Sequence, residues 1–157
     1  MDEKFVADIV KSVIDEIKPV KLNLETARQL INKVEAKAKE MGVNAVVAVA
    51  DGGANPIAVE CMDNSYIASY DIALNKAYTC ASLKMPTSEL KKLAVPGESL
   101  YGIQFTNNGR IVIFGGGLPL YCGGRVVGGL GVSGGTEEQD TALAEYGGKF
   151  FTEELFL

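Results

Sequence analysis

Residues 114–135, FGGGLPLYCGGRVVGGLGVSGG, constrain the fold more than any other stretch. Ten of the chain's 18 glycines lie there, at 115, 116, 117, 123, 124, 128, 129, 131, 134 and 135. Glycine has no Cβ, so it opens positive φ and lets another backbone or a ligand come close. Strand formers Leu118, Leu120, Tyr121, Val126, Val127, Leu130 and Val132 are spaced between the glycines. The pattern predicts two short strands joined by a tight turn at Cys122-Gly123-Gly124-Arg125. Gly128, Gly129 and Gly131 weaken the second strand and mark a bulge, a bend or a close contact. Two readings follow. The stretch is a wall against which a cofactor or a neighbouring subunit presses, or it is a bent hairpin packed under a helix.

A second constraint is the complete lack of histidine. It removes the commonest general base and metal ligand, and with them Ser-His-Asp, Cys-His and His-zinc chemistry. No metal-ligand set stands out in its place, and no catalytic residue is assigned. The net charge of −5 and the absence of a basic run argue against nucleic-acid partners. No apolar run approaches the ~20 residues of a membrane span, and the acidic, amphipathic N-terminus does not read as a secretory signal. Cys61, Cys80 and Cys122 form an odd set without a CxxC pair, which fits a reducing cytoplasm better than a disulfide framework.

In chain order, residues 2–17 carry apolar side chains at 5, 6, 9, 10, 13, 14 and 17, one helical stripe ended by Pro19. This helix (residues 1–19 with its linker) is either a first core helix or a detachable peptide that lays its apolar face in a partner's groove. The remaining 20–157 form one domain. Asn23 caps a second helix that stops at Gly42. Residues 45–50 and 57–62 make a hairpin around a turn of five or six residues. A helix over 66–84 has a small-residue inner face, and a short helix opens at Thr87-Ser88 with one of them as cap. Residues 111–114, IVIF, read as a buried strand. Thr136-Glu137-Glu138-Gln139 is a capping box for a last helix, interrupted at Gly147-Gly148, with the apolar tail Phe150, Phe151, Leu155, Phe156 and Leu157 packing back. Hairpins imply antiparallel pairing, so the expected class is α+β: a single antiparallel sheet of about five strands with packed helices.

Five segments carry a resemblance to a known family: LNLETARQLINKVEAKAKEMG, AVVAVADGGANPI, MDNSYIASYDIALNKAYTCA, FGGGLPLY and VVGGLGVSGGTEEQD. Together they resemble the GlcG/HbpS-type domain, also found as the C-terminal domain of PduO proteins. The resemblance implies a profilin-like fold, homo-oligomers from dimer to octamer, and an accessory role around haem or a corrinoid such as cobalamin. Relatives commonly carry a histidine after the glycines of the first turn. Here Asn55 aligns with it, which leaves Met62, Cys61 and Tyr66 as residual axial candidates. The first helix is similar to the encapsulation peptides that dock cargo into bacterial microcompartments. That implies a shell or core protein as partner of residues 1–18, within a propanediol-utilisation setting.

The candidate ligand-facing residues are therefore Asp51, Asn55, Met62, Asp71, Lys76, Gly115, Gly116, Gly117, Ser133 and Gly134. Gly115–Gly117 would line the wall. Ser133 and Gly134 precede a helix N-terminus that could hold a carboxylate or propionate, although Glu137, Glu138 and Asp140 read there as structural caps. Asp51, Asp71 and Lys76 could form a polar cluster beside the wall, or serve as a turn former and ordinary helix residues. An enzyme using Asp or Lys on a small acid or aldehyde, and a purely structural interaction module, are the alternatives to a binding protein.

Overall fold

The computed structural model describes residues 2–17 and 22–155, with backbone alone over 14–17. Its elements are α1 (Glu3–Ile17), α2 (Leu24–Glu40), β1 (Val46–Asp51), β2 (Pro56–Cys61), α3 (Ile67–Leu83), α4 (Thr87–Ala94), β3 (Gly117–Cys122), β4 (Arg125–Ser133) and α5 (Glu137–Phe150). Two short 3-10 turns, Ile103–Phe105 and Asn107–Gly109, precede β3, and a π-helical turn, Phe151–Leu155, follows α5. The strands form one antiparallel sheet in the order β2-β1-β4-β3. This is the expected profilin-like α+β class with four strands rather than five. Residues 111–114 supply no strand because α3 holds them: the Val112 N–H donates to Thr79 Oγ1 at 3.0 Å.

The sheet is covered on both faces, by different means. On one face Val47, Val49, Leu130 and Val132 join Leu30, Ile31 and Val34 of α2 and Leu143 of α5 in the larger core. On the other, Val46, Ala48 and Ala50 meet Ala73 and Ala77 of α3. Along β4, Leu130 and Val132 alternate with Gly129 and Gly131, as the period of two requires. A Cβ on Gly129 would run into the Ala77 carbonyl oxygen, and one on Gly131 into that of Ala73. Gly129 and Gly131 are thus bare so that the backbone of α3 can lie directly on the strand. Of the two readings of the hairpin, packing under a helix is the one present at these positions.

The hairpin turn falls where the pattern placed it. Gly123 and Gly124 have φ of 53° and 74°, and two successive positive values are what a two-residue type I′ turn demands. Two capping boxes form, Asn23 with Thr26 and Thr136 with Gln139. Three expectations are corrected, and that for the apolar tail holds at the residues described. The β1–β2 loop has four residues, 52–55, because Asp51 Oδ1 accepts both the Gly53 and Asn55 N–H at 2.9 Å and tightens it. Pro86 rather than Thr87 or Ser88 is the N-cap of α4, and the Thr87 hydroxyl instead accepts the Gly117 N–H at 2.9 Å. The α5 helix runs unbroken through Gly147 and Gly148, which let Val34, Leu130 and Leu118 press against it. Phe151 is buried, with Phe150 and Leu155 packed on the core, whereas residues 156–157 lie outside the described residues.

Helix α1 forms as its periodicity predicts, and every described side chain on it, from 2 to 13, is exposed. Phe5, Val6, Ile9, Val10 and Val13 make up the exposed apolar stripe. The side chains of Ile14 and Ile17 and the linker 18–21 lie outside the described residues.

Candidate functional site

Close packing of α3 on β4 carries Lys76, which sits between Ala73 and Ala77, into the interior. Its side chain is fully buried. Nζ donates to the Val132 carbonyl at 2.7 Å and to Asp140 Oδ2 on α5 at 3.2 Å, and it lies 5.1 Å from the centre of the Phe114 ring. A buried ammonium requires such partners, since removing it from water without them is prohibitive. Burial lowers the lysine's pKa from its ordinary value, and the neighbouring Asp140 carboxylate opposes that shift. Asp140 Oδ1 in turn accepts the Gly135 N–H at 2.8 Å. The pair therefore joins three elements: α3, the end of β4 and the start of α5.

A cleft of about 280 Å³ opens beside this pair. Its walls include Tyr66 and Ser69 at the start of α3, Phe114, Ser133 and Gly134, and Glu137 and Asp140 on α5. Ser133 Oγ and Ser69 Oγ are 3.0 Å apart, and both residues are buried. Glu137 accepts the Gly115 N–H at 2.9 Å through Oε1 and the Lys91 ammonium at 2.6 Å through Oε2. The lysine first, and then the Gly115 N–H, hold the Glu137 carboxyl below its usual pKa. Tyr66, which lines the cleft, is exposed, as are Tyr70 and Ile67 on the first turn of α3, the latter at 98%.

Sequence reasoning found part of this site. Ser133 and Gly134 line the cleft and Lys76 lies behind it. The Gly115–Gly117 run faces the chain's own side chains. A Cβ at Gly116 would lie 2.5 Å from Lys76 Nζ, and one at Gly117 would lie 2.8 Å from Cys80 Sγ. These glycines seat the ion pair and α4. The polar cluster of Asp51, Asp71 and Lys76 does not form. Asp51 is committed to its turn with Gly53 and Asn55, Asp71 is exposed, and the carboxylate partner of Lys76 is Asp140. At the α5 N-terminus three amides are taken by the chain itself: Gly135 N–H goes to Asp140, Thr136 N–H to Gln139 and Gln139 N–H to Thr136. Of the acidic residues there, Asp140 holds an amide of this end, whereas Glu137 is turned to Lys91 and the Gly115 N–H. Ser69, Phe114 and Asp140 were missed as cleft residues. The one available signal was a lysine flanked by Ala73 and Ala77 on a helix's inner face, which demands an acid somewhere.

Met62 lies elsewhere, in a separate cleft of about 410 Å³ with Glu35, Lys39, Glu60, Cys61 and Asp63. Its Sδ accepts the Ala45 N–H at 3.3 Å. Burial, then the nearby Glu60, raises the Glu35 pKa. These residues do not fit a haem iron held by a protein ligand. The chain has no imidazole, Asn55 is bonded into the Asp51 turn, and Cys61 and Met62 stand among carboxylates that repel propionates. Tyr66 is 72% exposed and Cys80 is buried, its thiol pushed up to about 12 by that burial. Among the described residues, no cluster of three or more Cys, Asp and Glu is arranged to hold a metal ion.

With fold and site described, comparison with known proteins is decisive. Residues 22–149 match the model of the family described as "Haem degrading protein HbpS-like". The chain belongs to the HbpS-like family. It is 50% identical over 124 residues to an uncharacterised 15.0 kDa protein of the dhaT-dhaS intergenic region of Citrobacter freundii, covering 79% of this chain and 87% of that one. It is 35% identical over 130 residues to the corrinoid adenosyltransferase PduO of Salmonella typhimurium, covering 83% of this chain but only 39% of PduO. The crystal structure of a PduOC–haem complex superposes with a TM-score of 0.79 at 33% identity, covering 83% of this chain and 94% of that one. Helix α1 precedes the segment that matches the family model. No helix among the described residues is long and apolar enough to cross a membrane.

Proposed function

We propose that this HbpS-like chain is an accessory binding protein that works as a homo-oligomer, and that its ligand sits in the cleft between α3 and α5. The observation that carries this reading is the cleft's construction. A floor of buried hydroxyls and a compensated ion pair lies beside walls that include the exposed aromatics Tyr66 and Phe114. Such a floor orients a ligand, whereas a reaction needs a free base or nucleophile. Lys76 is spent on Val132 and Asp140, and Cys80 stays protonated at neutral pH.

Relatives that handle a corrinoid or hold haem make tetrapyrroles the ligand class to test. One copy's cleft falls just below the ~300–1,000 Å³ of pockets that enclose drug-sized ligands. A macrocycle would therefore lie across the mouth, with a second copy supplying the opposite wall. Difference spectra of the purified protein titrated with haemin and with cobalamin, beside native mass spectrometry, test this. Saturable spectra and a multimer are expected, and flat spectra at micromolar concentration remove the tetrapyrrole reading. The adenosyltransferase activity of PduO is not carried over, because the chain spans about two-fifths of that protein.

The stripe on α1 supports a docking role for residues 1–18, with a microcompartment shell or core protein as partner. A helix of 15 residues is marginal alone in water, and its described side chains find no cover within the chain. Deletion of residues 1–18 should abolish co-localisation with the compartment; unchanged co-localisation contradicts the docking role.

A further inference from the structure

We infer that the cleft floor recognises an uncharged carboxamide on its ligand and rejects a carboxylate. This rests on the proposed use of the α3–α5 cleft and names the chemical group it takes. Two hydroxyls, Ser69 and Ser133, are 3% and 5% exposed and line the cleft. The pair contains two hydroxyl hydrogens, and the single bond between them uses one. With the Ser133 hydroxyl donating to Ser69, the Ser69 hydroxyl hydrogen is the one left to a ligand. A ligand oxygen entering the cleft accepts it.

The charges decide which oxygen. Two carboxylates, Asp140 and Glu137, stand on the cleft wall. Their cations are turned elsewhere: Lys76 lies behind Phe114, and Lys91 is on α4 at the far oxygen of Glu137. A ligand carboxylate would meet like charges with no facing cation, in a partly desolvated site where such repulsion is strong. A primary carboxamide has the complementary pattern. Its carbonyl accepts from Ser69, and its NH₂ donates to a carboxylate oxygen. Exposed Tyr66 and Phe114 offer apolar surface for the body that carries the amide. Corrinoids carry peripheral carboxamides where haem carries propionates, so this floor selects between the two tetrapyrrole classes.

The test uses benzamide and benzoate, which share a ring and differ in this group. Amide resonances of ¹⁵N-labelled full-length protein are followed at matched concentrations. Benzamide should shift Ser69, Ser133, Gly134 and Gly135, and benzoate should leave them in place. Ser69→Ala should weaken benzamide about tenfold, as expected for one lost hydrogen bond, with the rest of the spectrum retained. Glu137→Gln should let benzoate in and narrow the preference. Equal binding of both probes, shifts confined to another region, no shift with either probe, or undiminished binding in Ser69→Ala would each overturn the assignment. Haemin and cobalamin titrations can come out flat while benzamide still reports at the cleft, so the ligand-class reading and this one fail separately.

Discussion

The two faces of the sheet solve the same packing problem in opposite ways. Toward α2 and α5 the sheet presents Val47, Val49, Leu130 and Val132, and side chains of Leu30, Ile31, Val34 and Leu143 fill the gap. Toward α3 it presents Val46, Ala48, Ala50, Gly129 and Gly131, and at the two glycines the helix backbone itself fills the gap. The first face stores its stability in apolar volume and tolerates repacking of similar volume. At Gly129 and Gly131 the second meets rigid backbone, which cannot give way. Backbone contact also brings α3 close enough for Lys76 to reach the Val132 carbonyl and Asp140. The cleft depends on the small-residue face, and the larger core holds the whole in place.

Substitutions at the ion pair should separate the faces most sharply. Asp140→Ala leaves the Lys76 ammonium buried without its carboxylate, and we expect a loss of about 3–5 kcal/mol in urea unfolding. The double change Lys76→Met with Asp140→Leu should recover that loss or exceed it, because apolar replacement of a buried pair is often neutral or stabilising. On the other face, Leu130→Ala should lose about 2–5 kcal/mol through its cavity and leave ligand contacts at the cleft intact. A pH series gives a subtler contrast. Burial raises the Cys80 thiol from 9.0 to about 12. Between those values the unfolded chain has released the proton and the folded chain retains it, so the unfolded state binds fewer protons and stability falls as pH rises. Cys80→Ala should flatten that alkaline slope, read from unfolding midpoints between pH 8.5 and 11. The smallest effect belongs to α1. Deleting residues 2–17 should move the midpoint by under about 0.5 kcal/mol, because the described side chains there are exposed.

The parts of the fold carried by local pattern were legible in the sequence. The Gly123-Gly124 turn, the Asn23 cap, the Thr136 capping box, and the amphipathic stripes of α1 and α2 follow from spacing and backbone chemistry. Where tertiary contacts decide, local reading failed in identifiable ways. Gly147-Gly148 looked like a break, yet neighbouring Leu and Val side chains use those bare positions to seat α5. The apolar run 111–114 looked like a strand, yet Thr79 of α3 holds its backbone. The cleft was least legible, because Ser69 and Ser133 are 64 residues apart, as are Lys76 and Asp140, and nothing local links them. The glycine wall was seen, but what presses on most of it is the chain's own backbone and side chains.

Unfolding of Gly131→Ala tests the central claim by sign. Gly131 does not use a left-handed φ, so with open space beside it alanine should stabilise the protein by about 0.4–1 kcal/mol through the unfolded chain. With α3 on the strand, the new methyl meets the Ala73 carbonyl and lies 2.7 Å from the Ala77 nitrogen, both rigid backbone. The account predicts a loss of about 2 kcal/mol or more, in the range of overpacked cores. An unchanged or raised midpoint would contradict it.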